Sequence, residues 1–295
     1  RFRIYPTEEQ KILLGKTFGC CRFLYNQMLN DKIREYEKTK KMLKNTPAMY
    51  KKEYPFLKEI DSLALANVQL HLEKAYKNFF RDPKIGFPRF KSKHHSKNSY
   101  TTNVVNGNIL VESKRIRLPK LKWIAMKKHR EPAEGLRLKS VTVSMEPSGK
   151  YFASLLYEGY SCENQAAGPD YSTAKILGID YAMQGMAVFS EKVETEEAGF
   201  FRKNEKRLAR EQRKLSRCVR GSHNYELQKK KVARCHEKIR NQRRDHLHKL
   251  SRKIADGYDA VAVEDIDMKA MGQCLHFGKS VQDNGYGMFR EMLDY

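Results

Sequence analysis

The chain has 295 residues, 40% hydrophobic and 32% charged, enough to bury cores in two domains of ordinary size. Lys and Arg number 58 against 35 Asp and Glu, a formal net charge of +23, and such a surplus opposes compaction unless a polyanion such as nucleic acid neutralises it. No apolar run approaches the roughly 18–20 residues that span a bilayer, no signal-peptide pattern opens the chain, and six cysteines without a C-x-x-C pair favour a reduced, cytoplasmic protein over a disulfide framework or zinc ribbon.

In chain order, residues 1–5 alternate as a short strand, Pro6 stops it, and Thr7-Glu8-Glu9-Gln10 is a capping box that starts a helix. Arg1 stands where a methionine would begin a chain, which points to trimming there. The pattern stays helical to about Phe80. Residues 44–54 read as a basic loop, and Asp61 as the N-cap of a helix carrying Leu63, Val68, Leu72, Ala75 and Phe79. After residue 86 the period changes. Segments 108–111, 115–118, 140–145 and 151–157 alternate as strands, the last two joined by Glu146-Pro147-Ser148-Gly149-Lys150 as a hairpin. They predict a small β-barrel, and if the N-terminal strand joins it, the helices are an insertion into that barrel. Residues 159–175 form a polar linker with Gly168-Pro169 and mark a domain boundary. Beyond it, residues 175–190 read as strand, turn, strand. Residues 200–257 read as a helical region broken at Gly221-Ser222, with Val232, Cys235, Ile239, Leu247, Leu250 and Ile254 as its apolar stripe. Residues 259–265 read as a buried strand and 285–295 as the opening of a last helix, an α/β order.

Two strands end in acids: Ile176-Leu177-Gly178-Ile179-Asp180 and Val261-Ala262-Val263-Glu264-Asp265. Strand alternation puts Gly178 with Asp180, and Ala260 and Ala262 with Glu264, so the smallest residues share each carboxylate's face. An acid at the end of a buried strand needs compensation. Mg²⁺, which prefers carboxylate, water and phosphate oxygens, would supply it, with Mn²⁺ as an alternative. Metal ions there could activate water and stabilise a leaving oxygen. Strand or turn capping is the bland alternative for each acid taken singly.

Between the acids, residues 202–253 hold 20 Lys/Arg and 5 Asp/Glu, an imbalance suited to phosphate contact. Arg210, Arg213, Lys214, Arg217, Lys230, Arg234 and Arg243 are the candidate contacts. Aromatic and basic residues also interleave in Tyr76-Lys-Asn-Phe-Phe-Arg81 and Gly86-Phe-Pro-Arg-Phe-Lys91, as a base-stacking surface would require. Core roles for Phe79, Phe80, Phe87 and Phe90 explain that pattern equally well. His94-His95 and His246/His248 lack partners at metal-ligand spacing, and Cys20-Cys21 reads as core.

In order, Phe2-Arg-Ile-Tyr-Pro6, Ala75-Tyr-Lys-Asn-Phe-Phe80, Gly86-Phe-Pro-Arg-Phe90, Leu118-Pro-Lys120, Gly178-Ile-Asp180, His236-Glu-Lys-Ile239, Asp245-His-Leu-His-Lys-Leu250, Val263-Glu-Asp265 and Asp283-Asn-Gly-Tyr-Gly287 resemble the TnpB (OrfB) family of insertion sequences and the related miniature type V CRISPR effectors. The resemblance runs over essentially the whole chain. It implies a multidomain α/β protein: an oligonucleotide-binding-type wedge barrel (1–6 and 86–170) interrupted by a helical recognition lobe (7–85), then a RuvC-type, RNase H-fold nuclease domain (171–295). It further implies an RNA-guided DNA endonuclease whose partners are a guide RNA and double-stranded DNA carrying a short adjacent motif. Asp180 and Glu264 match the family's first two catalytic acids. The resemblance places motif reading on the helix from Asp61 and the segment after Tyr100, with Ser62, Asn67 and Asn103 as polar candidates and Lys77 and Arg89 as backbone contacts. The family's Zn²⁺-binding Cys₄ segment and third catalytic Asp fall beyond residue 295. A guided DNA-binding protein without cleavage, acting as a repressor or targeting subunit, is the alternative.

Overall fold

The N-terminal strand β1 (Phe2–Tyr5) lies inside a sheet made from strands that come much later in the chain. After it come helices α1 (Glu8–Thr39), α2 (Pro47–Glu53) and α3 (Ser62–Arg81), then β2 (Asn98–Asn103), β3 (Leu110–Val111), β4 (Arg115–Leu118), β5 (Lys122–Lys127), β6 (Arg137–Met145) and β7 (Tyr151–Glu158). These seven strands form one curled antiparallel sheet in the order β2-β6-β7-β1-β5-β4-β3. The protein is described by a computed structural model over residues 1–159, 172–182, 186–195, 199–265, 267 and 283–294. It comprises two units, Arg1–Glu163 and Asn164–Tyr295. Most of the polar linker lies outside the described residues.

Local chemistry explains the first unit. The Thr7 hydroxyl accepts from Gln10 N, and the Gln10 side chain accepts from Thr7 N, which closes the capping box ahead of α1. Gln10 also donates to the carbonyls of Leu121 and Trp123, so one residue caps the helix and ties it to the sheet. Asp61 does the same for α3: one oxygen accepts from Leu63 N at 3.0 Å and the other accepts from the Thr102 hydroxyl on β2. Helices and sheet share one core, in which Leu14, Leu24, Leu65 and Leu72 pack with Ile4, Ile116 and Val141. Leu72→Ala is expected to cost about 2–5 kcal/mol for the lost contacts and the residual cavity. Leu70→Ala, on the solvent face of the same helix, should stay within about 0.5 kcal/mol. Paired denaturant melts read the difference.

Two sequence expectations in this unit need correction. Residues 44–54 are not all loop. Pro47 starts α2, where a fixed φ favours a helix, and Tyr50 is buried with its hydroxyl on Asp31 and Asn45. β2 and β5 are additional strands: Asn-Ser-Tyr-Thr-Thr-Asn is too polar to show a hydrophobic period, and lysines flank the alternation of Ile124 and Met126. The sheet, expected as a barrel, has β2 and β3 at its edges with no ladder joining them among the described residues. β3 is two residues long and offers little edge to pair.

In the second unit, β8 (Ile176–Tyr181) and β9 (Ala187–Phe189) form an antiparallel pair. Then come helices α4 (Phe200–Ser216) and α5 (His223–Gly257), β10 (Ala260–Val263) and α6 (Tyr286–Leu293). β10 returns parallel to β8, giving the order β10-β8-β9. A parallel return requires a crossover, which the two helices provide. Leu177, Ile179 and Tyr181 face a core made with Leu247, Leu250 and Ile254 of α5 and Tyr286 and Phe289 of α6. The strand expected to be of buried type, β10, is instead partly exposed along its length. The turn at 183–185 lies outside the described residues.

Among the described residues, no helix is long and apolar enough to cross a membrane.

Candidate functional site

The pairing of β8 with β10 decides what the two strand-end acids can do together. Ala262 lies opposite Gly178 and Val263 opposite Ile179. Glu264 N continues the ladder to Ile179 O at 3.4 Å, which sets Glu264 beside Asp180. The two carboxyls reach each other: the Glu264 carboxyl is pushed above the ordinary glutamate range, first by a hydrogen bond with Asp180, then by desolvation and by the Asp180 charge. Both acids are exposed, on the face opposite the α5/α6 core.

Gly178, Ala260 and Ala262 share that open face, as strand alternation requires, but Ile176 and Val188 lie on it too and are exposed. Gly178 N donates to Ser190 Oγ at 2.9 Å and braces the hairpin two residues before Asp180. Among the described residues, neither Asp180 nor Glu264 forms an ion pair with a basic side chain. Two adjacent carboxyls without a basic side-chain partner among the described residues suit a hard divalent ion with oxygen ligands. No group of three His, Cys, Asp or Glu residues is placed to hold a metal among the described residues.

The segment Asp283–Gly287 fastens this sheet to the helices. The Asp283 side chain is 3% exposed and accepts from Phe201 N at 2.8 Å and Arg202 N at 3.3 Å. It thereby caps α4, whose own N-cap, Gly199, has no side chain to do so. Arg243 on α5 donates from Nε to Asp283 O at 2.9 Å and pairs with the carboxylate at 3.5 Å. Gly285 has φ +70°, and a Cβ there would come within 2.9 Å of Arg243 Cδ, so both conformation and space demand glycine. Asn284 donates to the Tyr286 hydroxyl, which donates to Ala182 O, two residues past Asp180. Arg290 of α6 pairs with Asp265, beside Glu264, at 2.8 Å.

Arg243, expected on the nucleic-acid surface, is therefore turned inward against Asp283. Arg210, Arg213, Lys214, Arg217, Lys230 and Arg234 are exposed. Arg210 and Lys214 approach Glu211 at 3.6 and 3.9 Å, long ion pairs that leave their donors available. Gln228 holds Glu211 by its backbone and side-chain oxygens, and this hydrogen bond leads the causes that lower the Glu211 carboxyl. Between α4 and α5 runs a cleft lined by Arg207, Lys214, Lys231, Arg234 and Lys238, with Glu211 as its acid. Arg207, Lys231 and Lys238 were absent from the sequence-derived candidates. Their spacing held the signal: 207, 211 and 214 share one face of α4, and 231, 234 and 238 share one face of α5.

In the first unit, Asn67 is buried on α3, donates to Leu63 O at 2.9 Å and lines a pocket with Arg22, His71, Lys91, Lys97 and Thr101. Lys91 lies 3.9 Å from the centre of the Tyr25 ring, and burial lowers its pKa. Burial, then the Lys91 and Lys74 charges, lower that of His71. Ser62 lies at the start of α3 and accepts from Lys51, while Asn103 ends β2 and accepts at its carbonyl from Asn108. Neither lines the Asn67 pocket. Lys77 and Arg89 are exposed.

A family described as "Probable transposase" (OrfB_IS605) matches residues 159–274, and one described as "Helix-turn-helix domain" (HTH_OrfB_IS605) matches residues 1–41. Here residues 1–41 hold β1 and the single helix α1 rather than a pair of helices. A protein of Streptomyces pristinaespiralis named as an RNA-guided DNA endonuclease is 31% identical over 307 residues, covering 100% of this chain and 73% of the relative. InsQ of Escherichia coli (strain K12), with the same description, is 31% identical over 311 residues with the same coverage. Virulence protein VsdF of Salmonella dublin is 37% identical over 107 residues, 31% of this chain and 89% of the relative.

Proposed function

The chain belongs to the TnpB (OrfB) family, and from that membership we propose that it is an RNA-guided DNA endonuclease whose Asp180 and Glu264 serve phosphodiester hydrolysis. The observation that carries the chemistry is the adjacency of two strand-end carboxyls on an open sheet face, without a basic partner among the described residues. Antiparallel β8–β9 with β10 parallel to β8 is the order expected for the front of a RuvC-type, RNase H-fold domain, and the proposal assigns it that role.

Asp180 and Glu264 would hold Mg²⁺ or Mn²⁺. A divalent cation there supplies Lewis-acid activation of water and neutralises charge at the scissile phosphate. The protein's own contribution is orientation. The β8–β10 ladder fixes the carboxyls side by side, Ser190 braces the hairpin, and the Tyr286 hydroxyl holds the backbone just past Asp180. The α4/α5 cleft grips the phosphate backbone. Guide pairing supplies sequence specificity, and the Asn67 pocket is the proposed reader of a short motif beside the target.

The test is cleavage of matched against scrambled duplex by the complete protein carrying its co-purified RNA, with Mg²⁺. Cutting of the matched duplex alone supports the proposal. Binding without cutting would make the chain a guided binding protein, and absence of RNA from the purified protein would remove guidance altogether. Electrostatic grip has a separate signature. Arg207→Gln and Arg234→Gln should each weaken binding for all sequences alike and lower the log–log salt slope by about 1. An unchanged slope would place the backbone elsewhere.

A further inference from the structure

The aromatic–basic interleaving at residues 76–91 resolves into two layers. Tyr76 is buried at the base, while Phe80, Phe87 and Phe90 are 65%, 45% and 57% exposed. Tyr76, Phe79, Phe80 and Phe87 form a connected set: Tyr76 stacks on Phe80 at 6.2 Å, Phe79 is tilted against Phe80 at 5.5 Å, and Phe87 meets Tyr76 at 5.5 Å and Phe79 at 5.4 Å, both edge to face, while Phe90 follows on the same segment. Solvent-facing phenyl groups of this size are costly unless a partner covers them.

The segment bearing them is held firmly. Asp82 caps the turn after α3 by accepting from Lys84 N at 3.0 Å. Gly86 has φ +86°, a conformation that favours glycine. Pro88 is buried. Asn26 on α1 then clamps Lys91, donating to its carbonyl at 2.9 Å and accepting from its N–H at 2.8 Å. A surface fixed in advance loses little entropy on binding.

Its charge identifies the partner. Lys77, Arg81, Lys84 and Arg89 are exposed and interleave with these rings in the sequence, and none forms an ion pair among the described residues. Open aromatic faces with uncommitted cations fit a chain that alternates flat bases with phosphates. An uncharged protein surface or lipid would satisfy the rings and leave the cations without a role. A duplex hides its base faces, so the fit is to unpaired nucleotides.

We propose that Phe80, Phe87 and Phe90, with Lys77, Arg81, Lys84 and Arg89, form a stacking platform for unpaired nucleotides of the guide RNA. The commitment to guide RNA rests on the proposed guided function, because a guide must be displayed single-stranded before it meets a target. The platform organises bases and takes no part in cleavage.

The experiment uses the full chain and a fluorescent single-stranded RNA of about twenty nucleotides, read by anisotropy, with a blunt RNA duplex and a single-stranded DNA of equal length as competitors. Phe80→Leu, Phe87→Leu and Phe90→Leu keep apolar bulk and remove the aromatic face. Each should weaken single-stranded RNA binding about ten-fold, leave duplex binding within about two-fold and leave the salt slope unchanged. RNA containing 5-iodouridine should cross-link to a peptide within residues 76–91. Leucine variants that bind the RNA as tightly as the parent overturn the proposal, as does parallel loss of duplex binding or a platform preference for DNA. If any of these variants fails to fold, Phe80→Leu at the most exposed ring decides alone. Asp180→Ala separates the two readings: it should leave these affinities unchanged. Loss of the platform effect with guided cleavage intact refutes only the platform, whereas an intact platform in a protein that cuts nothing refutes the nuclease.

Discussion

Asp180→Ala is expected to lower guided cleavage about a thousand-fold or more while binding of RNA and matched DNA stays within about two-fold. The size follows from the role proposed for the acid pair: several kcal/mol of charge stabilisation at the phosphate is lost, and about 1.4 kcal/mol is a factor of ten. Binding is spared because Asp180 lies exposed on the open face, away from the α5/α6 core. Glu264→Gln should behave alike. It keeps the shape and a hydrogen bond to Asp180 but cannot serve as an anionic ligand. The pair has a second readout that needs no substrate. Without metal, the folded protein keeps the Glu264 proton above the pH at which an unfolded glutamate releases it. Stability from this pair is therefore fully present below the unfolded pKa and falls as pH rises through the folded value. A divalent cation held by the pair, as proposed, would replace that proton, so Mg²⁺ should raise the melting temperature more at about pH 7.5 than at about pH 5. The pH-dependent gain should vanish in Asp180→Ala. An equal gain in that variant would place the metal elsewhere, and wild-type cleavage rates in Asp180→Ala would remove the acid from the chemistry.

Local signals carried the sequence reading a long way. The Thr7–Gln10 capping box, the Asp61 cap and the hairpin around Gly149 are each decided by residues within one turn of each other, and each is present. The acid-bearing strands were legible for a related reason: alternation of Ile, Leu and Val with Gly and Ala sorts two faces without knowledge of the neighbours. Burial was not legible. Whether β10 is covered depends on what packs against it, and the same four residues suit either outcome. β2 carries no local signal because its membership is set by pairing with β6 rather than by its own composition. Arg243 shows the limit most sharply. Among 20 basic residues in a basic helical region, nothing local marks the one that turns inward, since its partner Asp283 lies 40 residues away.

That partnership predicts the largest loss of stability in the second unit. Asp283→Ala leaves the Arg243 guanidinium, 17% exposed, without its carboxylate and strips the cap from α4. Removing one partner of a buried pair costs about 3–5 kcal/mol, and a lost cap adds roughly 1 kcal/mol. The chain has two units and need not unfold in one step, so the measurement is local. Hydrogen exchange should accelerate in the first turns of α4 and around Arg243, while α1 and α3 keep their protection. Asp283→Asn retains an acceptor for Phe201 N and should lose less. Gly285→Ala should act at the same place by another route, because its φ of +70° and the 2.9 Å approach to Arg243 Cδ force the arginine out of position. Unchanged exchange in α4 would mean that packing of α4 on α5, rather than Asp283, fixes the hairpin. If exchange rises as expected, phosphate binding at the α4/α5 cleft should weaken too although every cleft residue remains. Arg207 and Lys214 reach that cleft only from a helix whose start Asp283 defines.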